Sequence, residues 1–205
     1  MIIKRFVGGS LAENGYVIHK AGSKDCYLID TGYNANEYIN YVKENKLNPL
    51  GIIFTHHHYD HITAGPKIAK EFDIRMNINV RDFDKACETL KDDSNLLDIF
   101  EDMHVFRLVD EDLLCINTPG HTKGGVCILA KNSKVVFTGD TVFSNEIGLT
   151  SLDDGSPEEM AKSCANVVDK WPKDLIIYPG HGESAPMSFV KEFNEEYKEA
   201  LAMVK

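Results

Sequence analysis

The stretch Thr55-His56-His57-His58-Tyr59-Asp60-His61 constrains this chain more than any other. It follows Gly51-Ile52-Ile53-Phe54, a short apolar run that reads as a buried strand. It leads through Ile62-Thr63-Ala64-Gly65-Pro66, which reads as a loop turning into a helix. A strand would thus deliver several imidazoles and a carboxylate to one end of a sheet. That donor mixture suits zinc, iron and related divalent metals. The plain alternative is a solvated histidine-rich loop, because a tract of histidines is in itself only a compositional signal. The rest of the chain decides between the two.

Three more loops place a ligand-type residue directly after a strand-like run. Thr118-Pro119-Gly120-His121-Thr122 follows residues 113–117, Thr138-Gly139-Asp140-Thr141 follows 135–137, and Tyr178-Pro179-Gly180-His181-Gly182 follows 175–177. Each carries a glycine just before its His or Asp, where the chain can turn sharply and no Cβ crowds a nearby metal. Loops at strand ends converge in space while staying far apart in sequence. Four of them with this chemistry point to one shared site. Of the 8 histidines, His56, His58, His61, His121 and His181 fall in the proposed ligand set. His57 sits between ligands and is expected to point away from them. His19 and His104 read as ordinary strand histidines, and Tyr59 either turns away or lines a substrate mouth.

Charge and composition narrow the function classes. The net charge of −10 disfavours nucleic acid, whose binding leans on lysine and arginine. No apolar run approaches the ~20 residues of a membrane helix, and the start, Met1-Ile2-Ile3-Lys4-Arg5-Phe6, reads as a first strand rather than a signal peptide. The 5 cysteines are odd in number and form no Cys-x-x-Cys pair. They read as buried reduced thiols, with the cytoplasm as the expected compartment.

Strands are expected over 2–7, 16–19, 26–30, 51–54, 74–78, 104–108, 113–117, 126–130, 135–138 and 175–178. Helices are expected over 34–46, 66–72, 82–90, 156–170 and 188–204. Ser156-Pro157-Glu158-Glu159 is a helix start, with serine as cap, proline at the first position and acids in the first turn. The acidic residues 91–102 and the C-terminal helix are candidates for a lid or an interface, or simply solvated faces. The pattern is two clusters of strands with helices between and after them. It predicts an α/β protein: a four-layer αββα sandwich of two packed mixed sheets with helices outside, one domain over 1–205.

Thr-His-x-His-x-Asp-His, then Gly-His-Thr, Thr-Gly-Asp-Thr and Pro-Gly-His-Gly, together resemble the metallo-β-lactamase superfamily, in its glyoxalase II-like (hydroxyacylglutathione hydrolase-like) branch. The resemblance implies two divalent metal ions, zinc foremost, with iron or manganese acceptable. It implies His56, His58 and His121 on the first, Asp60, His61 and His181 on the second, and Asp140 bridging them. Asp60 and Asp140 are the implied catalytic carboxylates, with Asp60 also orienting a metal-bridging hydroxide. Asp30, in Asp30-Thr31-Gly32, is the implied support behind the histidine loop, or else a plain turn aspartate.

The implied reaction is hydrolysis of an acyl thioester, S-lactoylglutathione being the prototype, or of a related ester or lactone. The small-molecule substrate is the only partner implied. The chain departs from full-length members in two places. Little more than one helix follows Pro179-Gly180-His181-Gly182, so a short form without the C-terminal helical glutathione-binding domain is expected. Where relatives often read Gly-Arg-Thr-Asp, this chain reads Gly148-Leu149-Thr150-Ser151, and the arginine that would meet a carboxylate is missing. Three alternatives stay open: another hydrolase of the same site, such as a lactonase or β-lactamase; a mononuclear iron persulfide dioxygenase using His56, His121 and Asp140; and a non-enzymatic metal-holding scaffold.

Overall fold

The computed structural model describes residues 1–204. The first strands follow from residues buried on both faces. β1 (Ile2–Gly8), β2 (Glu13–His19) and β3 (Asp25–Ile29) form an antiparallel start. Tyr16, Ile18, Tyr27 and Ile29 then face one core, while Val17, Cys26 and Leu28 face another. The alternation has period two with both sets apolar, as a sheet covered on both sides requires. Helix α1 (Ala35–Glu44) buries Tyr38, Ile39 and Val42 and leads to β4 (Asn48–Ile53), parallel to β3.

The short helix α2 (Tyr59–Ile62) follows the histidine loop, and α3 (Gly65–Phe72) leads to β5 (Met76–Asn79). A 3-10 turn, Val80–Asp82, precedes α4 (Phe83–Leu90). Residues 91–102 are not a lid. Lys91–Leu96 is a 3-10 segment, and β6 (Leu97–Phe100) pairs in parallel with β5 as the edge of the sheet. Leu97 and Phe100 are buried, which gives this acidic stretch its apolar anchor.

The second sheet is built from β7 (Val105–Leu108), β8 (Glu111–Asn117), β9 (Val126–Ala130), β10 (Val135–Gly139), β11 (Ile176–Pro179) and β12 (Ala185–Pro186). The orders are β1-β2-β3-β4-β5-β6 and β12-β11-β10-β9-β8-β7. Both sheets are mixed, the second because β10 and β11 run parallel. Between the sheets lie Tyr16, Ile29, Ile53, Leu113, Ile128 and Phe137. Outside the second sheet, Cys127, Val136 and Ile177 pack on α5 (Pro157–Asn166) and the C-terminal helices. The four-layer expectation holds.

Ser156 caps α5 as its sequence predicts, accepting the Glu159 N–H at 3.2 Å. That helix ends at Asn166, before a 3-10 turn over Val168–Lys170. The single terminal helix expected over 188–204 is two: α6 (Met187–Phe193) and α7 (Glu195–Ala202). Asn194 leaves helical geometry at ψ 102 and caps α7, its side chain accepting the Tyr197 N–H at 2.9 Å. No described helix is long and apolar enough to cross a membrane.

Candidate metal centre

Parallel strands and their alternation bring the four loops, and the Asp30 turn after β3, to one end of the two sheets. β4 delivers His56, His58, Asp60 and His61; β8 delivers His121; β10 delivers Asp140; β11 delivers His181. Ligand-type atoms of His56, His58 and His121 lie within 4.8 Å of one another, and so do those of Asp60, His61 and His181. Asp140 sits between the groups. Its Oδ2 is 3.4 Å from Nε2 of both His121 and His181, and its Oδ1 is 3.5 Å from His61 Nε2. All seven predicted residues therefore meet in one place.

The donor set fits cations. His56 Nε2, His121 Nε2 and Asp140 Oδ1 are buried without a hydrogen-bond partner among the described residues. Three orphaned buried acceptors at one point would be costly without an ion to meet them. Their opposite atoms are fixed. His121 Nδ1 donates to Leu149 O at 2.7 Å, and His181 Nδ1 to Leu11 O at 3.1 Å, which leaves Nε2 of each ring facing the centre.

Electrostatics divide the centre into two halves. Burial, then the neighbouring imidazoles, push His56 well below the ordinary histidine value and His58 down to about 4, so both lone pairs are free. At His61 burial pulls the same way, but Asp140, Asp30 and Asp60 outweigh it and carry the ring up to about 9. The second half is thus the more strongly anionic environment, and the more attractive one for positive charge.

Support comes from two buried carboxylates. Asp30 is no plain turn aspartate. It accepts Thr55 N–H at 2.8 Å and Thr55 Oγ1–H at 2.7 Å, and its Oδ2 lies 3.0 Å from His61 Nδ1. Asp82, which the sequence reading passed over as a helix start, accepts His57 N–H at 3.1 Å, Thr122 Oγ1–H at 2.8 Å and Gly124 N–H at 2.6 Å. It ties the two loops of the first cluster together. His57 points away from the centre as expected, its Nε2 3.1 Å from Asp154. Asp82 had no recognisable motif around it; the adjacent Asn79 cap, which accepts the Arg81 N–H at 3.0 Å, was the only local sign of a structured turn.

The first sheet also reaches across to the second. Asn14 Nδ2 donates to Pro179 O at 2.9 Å and to Gly182 O at 2.7 Å, and Asn14 N–H to Gly180 O at 2.6 Å. The loop bearing His181 is therefore held from β2. The expectation that each loop glycine makes room at a metal holds for Gly180 alone. A Cβ there would stand 2.1 Å from Asp140 Oδ1, whereas one at Gly120 would strike Met160 and one at Gly139 would strike Thr55.

The centre opens into a cleft of about 740 Å³ walled by Leu11, Tyr59, Phe143, Ile147, Leu149 and Leu152. Tyr59 thus lines the mouth. Asn194 Nδ2 donates to Phe143 O at 3.2 Å and Glu146 O at 2.8 Å, so the break between α6 and α7 secures one wall.

An αββα sandwich carrying this His/Asp constellation at the strand ends belongs to a recognised class of metal-binding proteins. Residues 8–181 match the metallo-beta-lactamase superfamily, and the chain belongs to that superfamily. A probable polyketide biosynthesis zinc-dependent hydrolase of Bacillus subtilis, PksB, is 28% identical over 81% of this chain and 71% of its own. Among solved structures, the BLEG-1 B3 metallo-beta-lactamase superposes with a TM-score of 0.84 at 24% identity, over 94% of this chain and 98% of that one. TTHA1623, solved in a di-iron-bound form, gives 0.79 at 23% identity, over 93% and 98%.

Proposed function

We propose that this protein is a dinuclear metal-dependent hydrolase of the glyoxalase II-like branch, cleaving an acyl thioester or a related ester or lactone. The observation that carries the reading is the meeting of two complete donor clusters on Asp140, at the floor of an apolar cleft. His56, His58 and His121 would hold one ion and Asp60, His61 and His181 the other, with Asp140 between. Two divalent ions there would polarise a carbonyl and bring the pKa of water toward ~7.

The remaining work falls to the chain. Asp60, lining the cleft with Oδ2 3.5 Å from His181 Nε2, is placed to orient a water and take its proton. Asp30 and Asp82 hold the imidazoles in register. The apolar wall offers an apolar acyl group a surface to cover beside the centre. Zinc is the first candidate, in keeping with the zinc-dependent hydrolase among the relatives, and iron the second, given the di-iron neighbour. A mononuclear oxygenase needs only His56, His121 and Asp140. The convergence of Asp60, His61 and His181 beside them favours the hydrolase.

The test is thioester hydrolysis by zinc-reconstituted protein, followed by release of free thiol, beside a His58→Ala control. Turnover in the wild type that the control and a chelator both abolish supports the reading. Oxygen uptake with a glutathione persulfide by iron-loaded protein, without thioester cleavage, would replace it.

A further inference from the structure

Apart from its donor residues, the cleft is mainly apolar, with Ser144 and Asn145 as neutral polar groups and two acidic residues. Its six wall residues include four that stand well exposed: Leu149 at 67%, Leu11 and Tyr59 at 50%, and Leu152 at 45%. Apolar side chains gathered round one opening mark a binding surface, whereas scattered ones do not. The volume falls within the range of small-molecule sites. Glu146 and Glu196 are the charged residues of the cleft beyond the donor set, and among the described residues no lysine or arginine lines it. Glu196 is fixed there, its Oε2 accepting the Ile147 N–H at 3.0 Å. A substrate carboxylate lying along these walls, away from the donor residues, would lose part of its water and meet Glu146 and Glu196, with no lysine or arginine among the described residues to pair with it there, an arrangement that costs binding.

We infer that the cleft selects an uncharged substrate with an apolar acyl chain and discriminates against acyl or thiol groups that carry a carboxylate, glutathione included. This rests on the hydrolase reading and names its substrate class. The acyl chain lies along Leu149, Leu152 and Phe143, which sets its carbonyl over the donor cluster, where ions held by the histidines and aspartates would polarise it. In the reaction a water oxygen bonds to the carbonyl carbon and the carbon–sulfur bond breaks, its electron pair leaving on sulfur. One water proton passes to the thiolate, and the acid formed releases its own to solvent.

The experiment uses N-acetylcysteamine thioesters of propanoyl, butanoyl and hexanoyl acids, with S-lactoylglutathione as the charged comparison, on zinc-loaded protein. Each added methylene buried in the cleft should raise kcat/KM about fourfold. S-lactoylglutathione should fall at least about tenfold below the hexanoyl ester, roughly the effect of losing one or two such methylenes. The surface double variant L149K/L152K should flatten the ladder and narrow that gap.

Calorimetric binding of S-hexyl-N-acetylcysteamine, a thioether that cannot turn over, gives a second readout. It should weaken at least about tenfold in L149K/L152K. Preference for S-lactoylglutathione over a flat ladder overturns the inference and leaves the hydrolase intact. Thioether binding that L149K/L152K weakens, without any turnover, supports the apolar site and removes the thioester hydrolase. Neither binding nor turnover overturns both.

Discussion

Asp82 Oδ2 accepts the Thr122 hydroxyl at 2.8 Å, and the same oxygen accepts the backbone N–H of His57 at 3.1 Å. One buried oxygen therefore joins the histidine loop to the loop of His121, although neither Asp82 nor Thr122 belongs to the donor set. Removing the carboxylate leaves buried N–H groups unpaired, each costing ~1–3 kcal/mol. Asp82→Ala should lower unfolding free energy by about 2–4 kcal/mol in urea titrations and weaken zinc binding at the first cluster. Asp82→Asn, which keeps one acceptor, should lose less of both.

Asp30 acts on the other half of the centre. Its oxygens fix Thr55 and face His61 Nδ1. Partners behind a metal-binding histidine are typically worth 10–100-fold in metal affinity. Asp30→Ala should bring the zinc content of dialysed protein from two equivalents toward one, while Thr55→Val, which removes the hydroxyl's contacts to Asp30 and His56 Nδ1 but keeps the Thr55 N–H on Asp30, should lose less.

Gly180→Ala tests the space beside Asp140. The added Cβ would lie 2.1 Å from Asp140 Oδ1 and 2.8 Å from His61 Cε1, so the carboxylate must move. The variant should fold, with a far-ultraviolet spectrum like the wild type, yet bind zinc at least about tenfold more weakly, the scale of a displaced metal partner.

Metal loading should appear in stability. An ion that binds only the folded state at 100 times its dissociation constant adds ~2.7 kcal/mol, which for a chain of this size corresponds to a rise in Tm of roughly 5–10 °C. Thermal melts with and without zinc measure it, and the response should shrink sharply in Asp140→Ala, since that residue faces both clusters.

Asn194 links stability to the cleft. Its side chain caps α7 and donates to the carbonyls of Phe143 and Glu146. Asn194→Ala should cost about 1–2 kcal/mol, a lost cap plus two part-buried hydrogen bonds. It should also raise KM more than it lowers kcat, because it loosens a wall and leaves the donor residues in place.

The centre was largely legible in the sequence because each of its motifs is local. A strand, a turn and a ligand residue lie within a few positions of one another at His56, His121, Asp140 and His181. The two sheets were legible from apolar alternation. What escaped depends on distant partners. Asp82 meets Thr122 across 40 residues and Asn14 meets Pro179 across 165, with no periodic signal at either end. β6 was hidden because Leu97 and Phe100 bracket Asp98 and Ile99 behind an acidic run. The break at Asn194 was missed because apolar spacing continues through it, and only its burial against residues 143–146 shows why the helix stops there.

The grip of Asn14 on Gly182 closes a span of 168 residues. In equilibrium terms that distance matters little, since each doubling of a loop adds only ~0.6 kcal/mol to its closure. Its consequence lies in time. Non-local pairings slow folding because loop closure must be met before they are rewarded. His181 is therefore expected to take its position last of the donor residues, which metal uptake followed during refolding would check. A refolding chain should then capture one ion early and the other late. The stoichiometry of bound metal, followed by the second, would act as a clock for the completion of the fold.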